Sequence, residues 1–225
     1  MSATSAASAA AVVDLAFETG DAAKRLRDAR RRGSRVIVVT ALTWDPPLPA
    51  ATGTPDEVGE YLRTVTGPLV AAVRTGDVPV VAALHGPVGG VGLAVALAAD
   101  LRVAGPSTQL DFSGGGFALP PAVPWLLTHL SGAALASRLL LFDTVLDASG
   151  AARFGLVEAA ADDPLPDALR RAERLEARAA GAVAAVRRSL RKAADLHFDE
   201  AFAYETYLQE MAAELDGDEL GGSPA

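Results

Sequence analysis

The chain has 225 residues, half of them hydrophobic, and a formal net charge of −8. That length and apolar content suffice for one large core, or a core with a helical appendage, and they exclude disorder beyond the ends. The acidic balance argues against a nucleic-acid binder, which needs a basic face. The absence of cysteine excludes disulfides and thiolate chemistry and suits a reducing cytoplasm.

In chain order, "MSATSAASAAAVV" lacks a basic leader and an apolar core and is expected to be a disordered lead-in over residues 1–20. Residues 21–32 predict a helix with Ala22, Leu26 and Ala29 on one face and arginines on the other, ended by Gly33. Val36-Ile37-Val38-Val39 is a continuous β-branched run, expected as a strand buried on both faces. A proline-rich loop follows from residue 42. Thr54 is the expected N-cap of a helix that opens with Pro55-Asp56-Glu57 and runs to about Arg74.

Residues 78–84 and 101–104 read as two further strands, and 109–112 as a short fourth. Strand–helix alternation of this kind predicts an α/β architecture with parallel strands. Beyond Pro124 the pattern is helical. The longest glycine-free apolar run, residues 93–99, is far short of the roughly 20 residues that span a bilayer, so no membrane partner is expected.

Between the second and third strands stands "HGPVGGVGLAVALAAD", with glycines at 86, 89, 90 and 92 ahead of an apolar helix. A strand that stops at His85, crosses glycines and enters a helix near Gly90 leaves backbone N–H groups at a positive helix end. Such an end holds an oxyanion or a phosphate. The bland alternative is that the glycines only allow close helix–sheet packing. The pattern matches neither the phosphate loop nor the dinucleotide fingerprint.

"VPVVAALHGPVGGVGLAVALAADLRVAG" resembles the signature of the crotonase superfamily, the enoyl-CoA hydratases and isomerases. His85 stands at that family's Asn, and the spacing to Asp100 is kept. The resemblance extends to "LLLFDTVLDASGAARFGLVEAA", where Ala148, Ala151 and Gly155-Leu156-Val157 fall in register. "RVIVVTA" takes the place of the family's V-I-V-L-T-G strand. The resemblance implies an α/β fold of the ClpP/crotonase type, a ββα superhelix with a helical C-terminal region. The expected division is a core over 21–160, a helical region over 161–215 and a flexible tail over 216–225.

The resemblance also implies a chemistry. Two backbone N–H groups hold the thioester oxygen of an acyl-CoA, or of an acyl group on a carrier protein's phosphopantetheine, and stabilise an enolate. One donor is expected at Val91, flanked by Gly90 and Gly92, and the other at Ala50 or Ala51. Coenzyme A enters as part of the substrate; no permanent cofactor and no metal are expected, and the family implies a trimer or hexamer. The family's two catalytic glutamates fall by register on Ala94 and, counted back from Pro121, on Gly114, so neither carboxylate is present. Asp111, His85 and Asp143 are the candidate acids or bases in their place. Each has a bland reading: a turn cap, a loop support and a solvated side chain. Arg187, Arg188 and Arg191, a cluster on a C-terminal helix, are expected near the CoA or carrier phosphates.

Two alternatives stand beside this reading. A Clp-type serine peptidase shares the fold, but Val91, Gly92 and Leu93 occupy the place of its nucleophile. A non-catalytic partner or scaffold in a multi-enzyme complex is compatible with the loss of both glutamates.

Overall fold

The computed structural model describes residues 10–15, 21–42, 53–113, 121–160, 162–193 and 195–221. Five strands form a parallel sheet in the order β1 (Ala10–Asp14), β2 (Val36–Thr40), β3 (Val80–Leu84), β5 (Leu101–Ala104) and β8 (Glu158–Ala159). A second sheet joins β4 (Pro87–Val88), β6 (Gln109–Asp111) and β7 (Val145–Asp147). The helices are α1 (Ala22–Arg31), α2 (Pro55–Tyr61), α3 (Gly67–Arg74), α4 (Gly90–Ala98), α5 (Val123–Ser131), α6 (Ala133–Leu141), α7 (Ala148–Arg153), α8 (Pro164–Glu176), α9 (Ala180–Lys192) and α10 (Phe198–Gly221).

The β-branched runs are buried on both faces. Successive side chains alternate across a strand. Ile37, Val39, Val80, Ala82 and Leu84 accordingly join a core shared with α1, α3 and α4, while Val36, Val38, Val81 and Ala83 pack against Ala168 and Ala172 of α8. Because α8 seals the second face of the sheet, it belongs to the core. The helical region that stands apart begins after it, not at residue 161. No helix among the described residues is long and apolar enough to cross a membrane.

The lead-in expectation is corrected over part of its length. Ala10 to Asp14 pairs with Val36 to Thr40 as the sheet's outer strand, and Leu15 is fully buried. The segment carries little apolar periodicity of its own; its partner strand decides its conformation. The helix expected over 55–74 forms with Thr54 and Glu57 in a reciprocal capping box, but a π segment at Leu62–Thr66 interrupts it. Pro68 lacks the N–H that an α-helical bond to Thr64 needs, and Gly67 donates instead to the Leu62 carbonyl. The tail expected from 216 is helical as far as Gly221.

Helix α4 is apolar on every side, and Val91 to Ala98 are all buried within one chain. Its burial therefore does not by itself require a second subunit. Arg102, itself buried, closes its far end: Nη1 donates to the Ala99 carbonyl at 2.7 Å and Nε to the Leu156 carbonyl at 2.6 Å. A cation there complements the negative end of the helix. Burial lowers the Arg102 pKa and Asp100 opposes the shift; a guanidinium nonetheless stays charged.

Candidate functional site at the start of helix α4

The glycines convert a strand end into a helix start in a very short span. Gly86 has φ +66, Gly89 is extended, and Gly90 has φ +49. The first bond across this start runs from the Leu93 N–H to the Gly89 carbonyl at 3.0 Å. The N–H groups of Gly90, Val91 and Gly92 thus precede the helical ladder and have no acceptor within it. Val91 is fully buried, so its N–H projects from a water-excluded helix end. Preorganised donors in such surroundings are where developing negative charge is stabilised most.

Gly92 performs a different task. A β-carbon there would overlap the carbonyl oxygen of Leu42, so the helix meets the exit of β2 at backbone contact. That exit is strained: Ala41 has φ +55, a left-handed conformation that costs an L residue roughly 1–2 kcal/mol. Leu42 leads into residues 43–52. Ala50 and Ala51 lie there, outside the described residues, as does Gly114.

Asp111 reaches the helix start through strand register. Val88 pairs with Leu110, so the next residues, Gly89 and Asp111, face each other. A β-carbon on Gly89 would sit 3.4 Å from the Asp111 β-carbon and 3.7 Å from its Oδ2. The other oxygen, Oδ1, accepts the Ser113 N–H at 2.8 Å. The bland reading, a turn cap, is thus realised on one oxygen, and the second oxygen stands beside the cap glycine of α4. Ala94, one turn after Val91, is fully buried and brings only a methyl group to this end of the helix.

His85 and Asp143 have local tasks. His85 is exposed, and its Nδ1 lies 3.2 Å from Ser107 Oγ, which also accepts the Gly86 N–H at 3.3 Å. The pair ties the glycine turn to the turn between β5 and β6. Asp143 is exposed with φ +47 in the turn before β7. The turn needs a left-handed residue, and Asp is among the side chains that tolerate it. Pro121 is exposed, just before Ala122 at φ +84 and the start of α5.

The arginines expected near the CoA or carrier phosphates each have protein partners. Arg187 is 5% exposed and donates from Nε to both Asp100 oxygens, at 2.8 and 2.7 Å, and from its other nitrogens to the carbonyls of Val73, Arg74 and Gly76. Arg188 forks onto Asp77 at 2.7 and 2.5 Å, and Arg191 caps the carbonyls of Arg74 and Gly76. These arginines gather at the C-terminal ends of α3 and α4, the opposite end of α4 from Val91. Asp100 also accepts the Val80 N–H at 2.7 Å, which makes it a hub for β3, α4 and α9. Residue type alone did not reveal that hub, nor the Leu42–Gly92 contact; a glycine inside an apolar helix was the available signal for the latter.

Residues 52–219 match the family described as enoyl-CoA hydratase/isomerase. The chain belongs to that family. It is 39% identical over 124 residues to "Probable enoyl-CoA hydratase EchA14" of Mycobacterium tuberculosis, covering 54% of this chain and 47% of the relative. It is 36% identical over 119 residues to a cyclohexa-1,5-dienecarbonyl-CoA hydratase of Thauera aromatica, covering 52% and 45%. The chain spans about half the length of the curated relatives it matches. Among solved structures, a monofunctional enoyl-CoA isomerase of M. smegmatis superposes with a TM-score of 0.69 at 26% identity, covering 86% of this chain and 92% of that one. The enoyl-CoA hydratase of Thermoplasma volcanium GSS1 shares the fold, with a TM-score of 0.80 at 20% identity over 96% and 94%. The α/β fold is thus the crotonase fold that the family's glycine signature implied.

Proposed function

We propose that the chain acts on an acyl thioester, of coenzyme A or of a carrier protein's phosphopantetheine, through an enolate held at the start of α4. The observation that carries this reading is the placement of Asp111 Oδ2 beside Gly89, the cap residue of α4, where the Val91 N–H precedes the helical ladder. The thioester carbonyl oxygen accepts from Val91 and from a second donor at Ala50 or Ala51. The Asp111 carboxylate takes a proton from Cα, the C–H electron pair becomes the enolate, and its charge rests on the oxygen held by the N–H groups. Returning the proton to Cγ of an enoyl chain completes an isomerisation. Expulsion of a β-hydroxyl, which takes that proton from Asp111 and leaves as water, completes a dehydration, and loss of carbon dioxide from a malonyl-type thioester leaves its C–C electron pair as the same enolate without a base. With Ala94 and Gly114 at the two glutamate positions, activation of a water for hydration lacks its usual acid and base.

The family resemblance supports the thioester class and a trimeric or hexameric assembly. Light scattering tests the assembly, and a stable monomer at micromolar concentration contradicts it. Proton exchange tests the chemistry: butyryl-CoA in deuterated water should gain deuterium at Cα with the unmodified protein and not with Asp111→Asn, while both bind the thioester. Binding without exchange by the unmodified protein supports the second reading, a non-catalytic partner in a multi-enzyme complex. The bond from Ser113 to Asp111 favours that second reading, since it already employs one carboxylate oxygen.

A further inference from the structure

Helices α9 and α10 share a small core of their own, Ala185, Leu208 and Ala212 with Tyr204 against it, and neither larger core includes a residue of either helix. Arginines hold them to the body: Arg187 on Asp100, Arg188 on Asp77, and Arg191 on the end of α3. Where polar contacts hold two bodies together, the apolar surface between them need not be filled. Between them lies a cavity of about 420 Å³, walled by Val78, Pro79, Leu175, Val183 and Met211 among mainly apolar neighbours. That volume is in the range of small-molecule sites.

Three charged side chains stand at the cavity. Asp77 and Arg188 neutralise each other through a two-pronged pair. Arg35 remains: one guanidinium nitrogen donates to the Arg178 carbonyl at 2.5 Å, and among the described residues no ion pair includes Arg35. One unbalanced cation at the edge of an apolar cavity is complementary to a ligand with one negative charge and a hydrocarbon body. The fork of a guanidinium suits a carboxylate, and nearby Asp77 disfavours a dianion. The cavity is bounded by Ser34, Arg35, Val78 and Pro79, just before the starts of β2 and β3. The start of α4 follows the other ends of these strands, about 16 Å away by the rise of a five-residue strand. The two places are distinct.

We infer that this cavity binds an amphipathic monocarboxylate, a free acyl anion whose chain lies along Val78, Leu175, Val183 and Met211 and whose carboxylate is held by Arg35. The inference stands independently of the thioester chemistry at α4. The sequence supplies a direct readout, because it holds two methionines, and one of them, Met211, lines the cavity. Protein labelled with ¹³C at the methionine methyls is titrated with decanoate below its micellar concentration. The expected result is a saturable shift of the Met211 methyl, whose resonance is assigned by its loss in Met211→Leu. Decanol in place of decanoate, or Arg35→Ala in place of the native chain, should weaken binding about tenfold or more. Arg35 is exposed, so its replacement should leave the fold unchanged, as circular dichroism will report. Ala184→Leu, which narrows the cavity with Arg35 intact, should weaken binding independently. The inference is overturned if Met211 shows no saturable shift, if decanol binds as well as decanoate, or if neither variant changes the affinity.

Discussion

Gly92 of α4 and Leu42 at the exit of β2 meet backbone to backbone, with no room for a β-carbon between them. The contact fixes the start of α4 against Leu42, the residue before the segment in which the second oxyanion donor is proposed. Gly92→Ala forces two backbones apart inside a packed core. Overpacking of that kind costs about 1–3 kcal/mol, and more when the clashing atom is main chain rather than a rotatable side chain. Urea denaturation should show a loss of about 3 kcal/mol, and affinity for acyl thioesters should fall with it. A variant as stable as the native chain would mean that Leu42 and Gly92 are not in contact.

Ala41 and Asp143 test the cost of a left-handed backbone. Both have positive φ, +55 and +47. Replacing Ala41 with glycine relieves roughly 1–2 kcal/mol of left-handed strain and gives back about 0.4–1 kcal/mol through the looser unfolded chain. Ala41→Gly should therefore stabilise the protein by about 0.5–1 kcal/mol. Asp143→Gly should be close to neutral, because Asp tolerates this conformation. Thermal melts of the two variants check the contrast; a destabilised Ala41→Gly contradicts it.

Acid should loosen the attachment of α9. The Arg188 guanidinium, hydrogen-bonded to the Asp77 carboxylate, holds Asp77 below the usual carboxylate range, against the effect of burial and with help from Arg191 and Arg187. A carboxylate depressed in the folded state stabilises it above the unfolded pKa of about 3.9, and that contribution is lost as pH falls through the lower, folded value. Urea midpoints of the native chain and Asp77→Asn should differ at pH 6, and the gap should narrow as pH falls below about 3.9, the unfolded value. A gap that persists unchanged at low pH would assign it to packing rather than charge.

Arg187 and Arg188 sit side by side in sequence and should behave differently. Arg187 is buried against Asp100, whereas the Arg188 and Asp77 side chains are 38% and 46% exposed. Removing one partner of a buried pair costs about 3–5 kcal/mol, and an exposed pair contributes at most about 1 kcal/mol. Arg187→Met should lose about 3 kcal/mol in urea, the low end because Asp100 keeps some solvent, and Arg188→Met less than about 1 kcal/mol. Equal losses would contradict the burial assigned to Arg187.

Which features were legible in the sequence follows from where their information lies. Strands β2 and β5 and helix α4 carry their own patterns, and the glycines before Val91 mark a close approach whatever the partner. Strand β1 has no such pattern; Ala10 and Ala11 become a strand because Val36 and Ile37 offer a free edge. The same holds for β4 and β8, which are two residues long. The arginine cluster was visible as charge, but its acids were not. Asp100 and Asp77 lie 87 and 111 residues from their partners, and no local spacing shows such a pairing. Asp111 is one of three candidate acids or bases in the sequence, and only the pairing of Val88 with Leu110 brings it to Gly89.

Hydration separates a two-carboxylate site from the one proposed. An oxyanion donor is worth about 3 kcal/mol and each positioned acid or base roughly 10²–10⁴ in rate. On the proposed reading, with Val91 as the donor, Ala94 and Gly114 at the glutamate positions and Asp111 as the base, the chain forms an enolate but does not activate a water in the usual manner. Crotonyl-CoA hydration should be slower than in a two-glutamate enzyme by at least about 10⁴, while crotonyl-CoA still binds. Ala94 is fully buried, so Ala94→Glu alone adds a charge to an apolar wall and should destabilise the chain. Ala94→Glu with Gly114→Glu supplies both carboxylates of the family pattern and should raise hydration above the native level, provided circular dichroism shows a folded protein. Hydration by the native chain at the rate of a two-glutamate enzyme would mean that another carboxylate has taken the role. Asp111→Asn would then show whether Asp111 is that carboxylate, because removing it should abolish the activity if it is and leave it intact if it is not.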